Sequence, residues 1–361
     1  MIIDEVTKHT GLVPIVRPHH QSSISDCLHC KRCWMFKNRW GIKPKRRKLK
    51  TSAKLGSLAH RLLELGPEGE GQVRKEVSDR LTQIQNDIEA TGDLFGNLEY
   101  EATHLQELLD KAVVMVHILW NKYPVSDSYT VLEKEKKVTV KVALPTGREV
   151  LLAGTIDEVL QNNETREIWN KDHKTTGRNI DFTLTGYQFG LQCRLYRILS
   201  AYYLNTKITG FILNILQTPT IKFGLYDRDF TEAEHTFKTG KRAGETELRK
   251  TYEGEPKFEN YLKRCKEWYE NQGIASARSF SIRYTEPLFP DELVAAIEDA
   301  ENCNALKATP ELFDRDVSGT TCKAWERVCD YYPLCKTNPA AWSDIINNEY
   351  EIVRETEDEC A

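Results

Sequence analysis

No stretch of this 361-residue chain approaches the roughly 20 consecutive apolar residues that a bilayer core demands, which excludes a membrane-spanning helix. Cysteine is sparse at 10 residues, too few for the disulfide framework that staples small secreted domains. The opening MIIDEVTKHTGLV has neither a basic n-region nor an apolar h-region, so a cytoplasmic, reducing location is expected. Net charge is small as well. With 50 Lys and Arg against 54 Asp and Glu the balance is −4, so no global positive field draws the chain to polyanions and any such attraction must be local. No internal repeat, low-complexity linker or G-x-x-x-x-G-K-[ST] phosphate loop is present, which excludes a solenoid and a P-loop motor. What remains is a chain 40% hydrophobic and 29% charged, with enough apolar surface for a large core.

The front of the chain reads as helical: a segment over 23–42 entered through Ser23 or Ser25, then GSLAHRLLELG at 56–66, and longer periodic stretches near 73–91 and 97–122. From Ser128 the period drops to two. VLEKEKKVTVKVAL alternates, Pro145-Thr146-Gly147 turns, REVLLAGTIDEVL is strand-like, Asn162-Asn163 turns and TREIWNKDHKT follows, which together form a three-stranded meander. A helix over 186–204 and a strand over 210–218 add an α/β layer, and helices are expected near 231–251, 255–270 and 290–306. One domain over 1–361 is expected, with a helical front over 20–125, a core over 126–220, a helical region over 221–345 and an acidic tail over 346–361.

Asp172 and Lys174 stand two apart on a predicted strand, so the pleat turns both to one face. Asp157 lies on the preceding strand, where neighbours about 5 Å apart can offer two carboxylates to one divalent cation. Such a cation polarises a phosphate and lowers the pKa of its water, while a lysine orients the nucleophile or stabilises developing charge. His60 can add a nitrogen ligand, and a mixed nitrogen and oxygen set suits Mn2+ as well as Mg2+. Glu133 and Glu135 alternate in the first strand of the meander, a pattern that fits a solvent-facing row equally well, and neither is assigned to the site.

In order and placement, GSLAH on a helix, GTID on a strand, DHK on the next and Gln192-x-x-x-Tyr196 on a helix resemble the PD-(D/E)XK nuclease superfamily, in its RecB-like branch, over roughly 20–340. The resemblance implies an α/β, restriction-endonuclease-like fold: a central mixed sheet flanked by helices. It implies that His60, Asp157 and Asp172 bind Mg2+ or Mn2+, that Lys174 is the catalytic lysine, and that Gln192 and Tyr196, one helical turn apart, border the site. His173 departs from the family, which more often places an aliphatic or aromatic residue there, and the pleat turns it to the other face.

Cys27, Cys30 and Cys33 stand near one end, and Cys322, Cys329 and Cys335 near the other. Part of the RecB-like branch, including AddB-type helicase–nuclease subunits and CRISPR adaptation exonucleases, holds a [4Fe–4S] cluster with one cysteine before the nuclease motifs and three after. That likeness implies Cys30, in CKRCW, with Cys322, Cys329 and Cys335, although the C-x6-C-x5-C spacing is wider than the family's and Cys27 and Cys33 compete. Four thiolates suit zinc equally, and such a site would staple the two ends of the domain.

The local attraction for DNA is expected from Lys43, Lys45, Arg46, Arg47 and Lys48, followed by Lys50 and Lys54. Trp34, Phe36 and Trp40, interleaved with Lys31, Arg32, Lys37 and Arg39, are either base-stacking faces or core. The resulting expectation is a metal-dependent DNA exonuclease acting on single-stranded ends in recombination, repair or replication. The alternatives are a nuclease-like DNA-binding module and a subunit active only with a helicase, recombination or CRISPR adaptation partner.

Overall fold

The computed structural model describes residues 17–45, 51–91, 97–123, 127–188, 190–236, 238–239, 241, 244–272, 276–305, 313, 322–324 and 327–353. Among the described residues the first helix is α1 (Gln21–His29), followed by the short α2 (Lys31–Trp34), which runs into a π-turn over Met35–Arg39 and then strand β1 (Ile42–Pro44). Three helices follow: α3 (Thr51–Leu65), α4 (Glu70–Thr91) and α5 (Asn97–Lys122). Apolar stripes at helical spacing explain their packing. Leu55, Leu58, Ala59, Leu62 and Leu63 of α3 bury against Leu105, Leu109, Ala112 and Val116 of α5.

The expected meander is present as β2 (Tyr129–Ala143), β3 (Glu149–Asn162) and β4 (Ile168–Thr176), antiparallel throughout. Helices α6 (Ile180–Gln188) and α7 (Leu191–Leu204) then cross over to β5 (Ile208–Gln217), which runs parallel to β4 as a helical crossover permits. A later strand, β8 (Ala277–Arg283), completes a mixed five-stranded sheet of order β2-β3-β4-β5-β8. Leu195, Ile198 and Leu199 of α7 pack on Val138, Leu152 and Ile156, so α7 covers one face of β2 and β3. The sequence-based expectation of an α/β mixed sheet flanked by helices is thus met.

The helix expected near 231–251 is absent. Its place is taken by an antiparallel hairpin of β6 (Asp229–Thr236) and β7 (Thr246–Glu253), followed by α8 (Phe258–Gln272), β8 (Ala277–Arg283) and α9 (Asp291–Ala305). After α10 (Tyr332–Lys336) and α11 (Trp342–Glu349), strand β9 (Tyr350–Ile352) pairs antiparallel with β1, bringing the last described residues back to the first.

The sheet forks where the site lies. β3 pairs with β4 only over Glu158–Gln161, and below that point the edge of β3 is taken by the Arg17–His20 segment, where His19 bridges Leu152. Beyond Lys171, β4 leaves β3 and continues beside β5 alone, so Asp157 and Asp172 flank the parting.

Candidate active site

Asp172 and Lys174 point to the α7 side of β4, where Lys174 Nζ sits 2.6 Å from Asp172 Oδ2 and donates to Oδ1 at 2.8 Å. Gln192 Nε2 donates to the same Oδ1 at 3.4 Å. Asp172 is fully buried. Burial, with the facing Asp157 carboxylate, pushes its carboxyl well above the usual range against the pull of Lys174. Burial alone would lower Lys174, but Asp172, Tyr187 and Asp157 outweigh it and hold the ammonium above its ordinary value. Tyr187 of α6 also offers Lys174 its ring face at 5.5 Å. Gln192 and Tyr196 lie on the α7 face turned toward this pair. The Tyr196 hydroxyl is pushed up to about 12, first by burial and then by Asp157 and Asp172.

Across the fork stands a second group. One ligand atom from each of His60, Glu135 and Asp157 lies within 4.8 Å of the others. His60 arrives on α3, which approaches β4 closely: a Cβ on Gly56 would lie 3.1 Å from Thr175 Oγ1. Gly154 serves β3 similarly, since a Cβ there would sit 2.8 Å from Leu199 on α7. These two contacts give physical reasons for the glycines of GSLAH and GTID.

The backbone of His173 sets both neighbours. His60 Nε2 donates to the His173 carbonyl, and the His173 amide donates to Asp157 Oδ2 at 3.3 Å. With its proton on Nε2, His60 presents an Nδ1 lone pair to Asp157 Oδ2 only 3.5 Å away. Burial lowers the imidazole below its usual value, so no proton readily bridges the two. Two acceptors therefore face each other beside a third, Glu135, whose carboxyl is pushed up to about 7 by burial and then by Asp157. A divalent cation would relieve this arrangement, and a histidine donating its other ring nitrogen to a backbone carbonyl is the usual support for a metal ligand. The oxygen and nitrogen donors suit Mg2+ or Mn2+.

The His173 ring packs edge-on to His60 with centroids 6.3 Å apart and is buried beside Asn214, on the face away from Asp172, as the pleat requires. Glu135 is the residue that sequence reasoning passed over. It stands opposite Asp157 across the β2–β3 pairing, with φ 45° in a stretch where the register has slipped between Val131 and Glu133.

Other expectations fare differently. Trp34, Phe36 and Trp40 are buried core, so none offers a face to a base; Phe36 packs edge-on to Trp342 with centroids 5.1 Å apart. Lys43 and Lys45 lie at the β1–β9 ladder, where Lys45 Nζ donates to the Asn347 carbonyl at 2.5 Å, and Arg46, Arg47 and Lys48 fall outside the described residues. Among the cysteines, Cys27 faces Cys303 with sulfurs 3.3 Å apart. Cys33, rather than Cys30, shares a hydrogen bond with Cys329, which lowers the Cys329 thiol to about 7. Cys30 sits one turn away and accepts the Cys33 amide at 3.5 Å. The Cys329 amide donates to the Cys322 carbonyl at 2.8 Å, and Cys33, Cys329 and Cys335 pack against one core. The two ends of the chain thus bring thiols together. Among the described residues, however, no three sulfurs lie within 4.8 Å of one another.

No helix among the described residues is long and apolar enough to cross a membrane. A comparison with curated proteins finds no match. The family model of the PD-(D/E)XK nuclease superfamily matches residues 21–336, most of the chain and the whole of the forked sheet, and the protein therefore belongs to that nuclease superfamily.

Proposed function

We propose that the protein is a metal-dependent DNA exonuclease that hydrolyses phosphodiester bonds at single-stranded ends, in the RecB-like manner and in the service of DNA recombination, repair or replication, with any motor supplied by another chain. The observation that carries the catalytic part is the pair of acceptors, His60 Nδ1 and Asp157 Oδ2, facing each other at 3.5 Å beside Glu135. His60, Glu135, Asp157 and Asp172 would hold Mg2+ or Mn2+. When bound, the cation supplies a polarised phosphate oxygen and a more acidic attacking water. The chain's own groups do the rest. Lys174, buried and cationic, is held by Asp172 so that its ammonium stabilises charge developing on the phosphate. Gln192 fixes the Asp172 carboxylate against rotation, and Tyr196 walls the site from solvent on the α7 side. The His173 backbone orients His60 and Asp157 together.

The same reading assigns a [4Fe–4S] cluster, or zinc, to Cys322, Cys329 and Cys335 with a fourth thiol from Cys30 or Cys33. The contact between Cys33 and Cys329 supports it.

The test is degradation of end-labelled single- and double-stranded DNA, and of circular DNA, with Mg2+ or Mn2+. Wild type is expected to shorten linear single strands and spare circles. Lys174→Ala and Asp172→Ala are each expected to lower the rate by at least about 100-fold. Cleavage retained in both variants removes these roles, and cutting of circles replaces exonuclease with endonuclease action.

A further inference from the structure

The helix-covered side of the sheet holds a polar group that the ion site does not use. Asn170 stands on β4 two residues before Asp172, so the pleat turns both side chains to the α7 side. It is fully buried, and neither its Oδ1 nor its Nδ2 has a hydrogen-bond partner among the described residues. Its strand neighbours offer none, since it pairs with Val159 on β3 and Phe211 on β5, both buried and apolar. On α7, the helix that covers this face, Ser200 Oγ is likewise buried and unpaired.

A side-chain amide in such a place is costly, because burial strips water from its N–H donors and its carbonyl lone pairs. A leucine, with the same branched outline and no polar atom, would carry no such penalty. Buried amides are satisfied by protein or by ordered water, and where the protein supplies no partner, water is left. Such a water needs several polar neighbours, and one more lies on the same strand. Asp172 Oδ2 also lacks an aligned donor, although Lys174 Nζ is 2.6 Å away. Side chains two apart on one face of a strand sit about 7 Å apart, and two hydrogen bonds through one water span about 5.5 Å. One water can therefore bridge the Asn170 amide and the Asp172 carboxylate.

From these groups we infer that Asn170 is a positioning residue for Asp172, holding an ordered water against its carboxylate; what this does for the ion rests on the nuclease reading. Lys174 and Gln192 hold Asp172 through Oδ1. The water bonded to Asn170 holds it through Oδ2. Secured at both oxygens, the carboxylate keeps one orientation beside Asp157, which is how contacts behind a metal ligand raise its affinity.

The direct test is a high-resolution crystal structure of the metal-free protein. An ordered water within hydrogen-bond distance of both Asn170 and Asp172 is expected; a dry contact between them, or an Asn170 amide bonded only to protein, overturns the inference. Two variants supply the functional comparison: Asn170→Leu, which keeps the branched outline without polar atoms, and Asn170→Ser, which keeps a hydroxyl and leaves room for a second water. Calorimetry reads Mn2+ affinity, and cleavage of a single-stranded substrate reads kcat and KM. Asn170→Leu should unfold in urea at or above the wild-type midpoint, yet bind Mn2+ about tenfold more weakly and lose about tenfold in kcat with KM unchanged. Asn170→Ser should recover most of both. A leucine variant with wild-type Mn2+ affinity and kcat reduces Asn170 to a core group, and so does one whose activity falls only in step with its stability. Wild type that binds Mn2+ yet cleaves no DNA sinks the nuclease reading, while the crystal structure and the Mn2+ comparison still decide Asn170.

Discussion

At the scale of single residues, Asp172 and Lys174 could be singled out as candidates because their spacing is tied to the pleat, Asp157 because it lies on the neighbouring strand of the hairpin, and His60 because the family resemblance marks the histidine of GSLAH. Glu135 could not. Regular alternation gives Glu133 and Glu135 the same environment, whereas the φ of 45° at Glu135 separates them: Glu133 accepts from the Tyr203 hydroxyl of α7 at 3.3 Å, and Glu135 turns to Asp157. Bulges are set by pairing geometry, which alternation alone does not record. A prediction separates the two carboxylates. Glu135→Gln keeps the shape but removes an anionic ligand, so the Mn2+ concentration needed for half-maximal cleavage should rise by about tenfold or more. Glu133→Gln should leave that requirement unchanged, and a metal titration of cleavage rate reads both. Equal behaviour of the two variants would take Glu135 out of the ligand set.

At the scale of elements, the meander, the crossover helix and the parallel strand were legible because each buries a face, and a buried face writes its period into the sequence. The hairpin of β6 and β7 buries almost nothing. Every described residue of β6 is exposed, so the chain there has no apolar alternation to read, and its helix-forming glutamates and lysines suggest the wrong element. β8 was missed for a related reason, since RSFSIR alternates between partly and fully exposed positions on an edge. β5 is the opposite case, buried almost throughout, and it carries β4 and hence Asp172. Gly210 of β5 leaves room for the ring of Trp169 on β4, because a Cβ there would lie 2.2 Å from Trp169 Cζ3 and 2.5 Å from the Ile282 carbonyl. Gly210→Ala forces either the indole or β8 to move and should destabilise the fold by about 1–3 kcal/mol. Urea unfolding at constant m-value measures it, and an unchanged midpoint would mean the sheet accommodates the methyl without strain.

At the scale of the whole molecule, the cysteines near both ends indicated that the ends meet, and they do, but protein contacts already close the ring. β1 pairs with β9, the Tyr331 hydroxyl donates to the Ile42 carbonyl at 2.7 Å, and Phe36 stacks on Tyr331 with centroids 5.8 Å apart. Phe36 was read from the sequence, with Trp34 and Trp40, as either base-stacking or core, and burial decides for core because none of the three has an exposed face. A metal at the thiols would therefore add to an existing closure rather than create it. Two consequences distinguish that role. Anaerobically purified protein should be brown and carry roughly four iron atoms per chain, whereas a colourless protein with one zinc would assign the same thiols to the other metal. Cys329→Ser, removing the thiol that contacts Cys33, should lose the metal and lower Tm by more than about 5 °C, because ligand geometry is absent from the unfolded chain and binding free energy becomes folding free energy. The ladder and the aromatic stack should still hold the ends together, so the variant should fold and keep its Mn2+-dependent cleavage at temperatures below its new Tm. A variant that never folds would make the thiol site the nucleus of closure, and one with unchanged metal content and Tm would reduce these cysteines to ordinary packing.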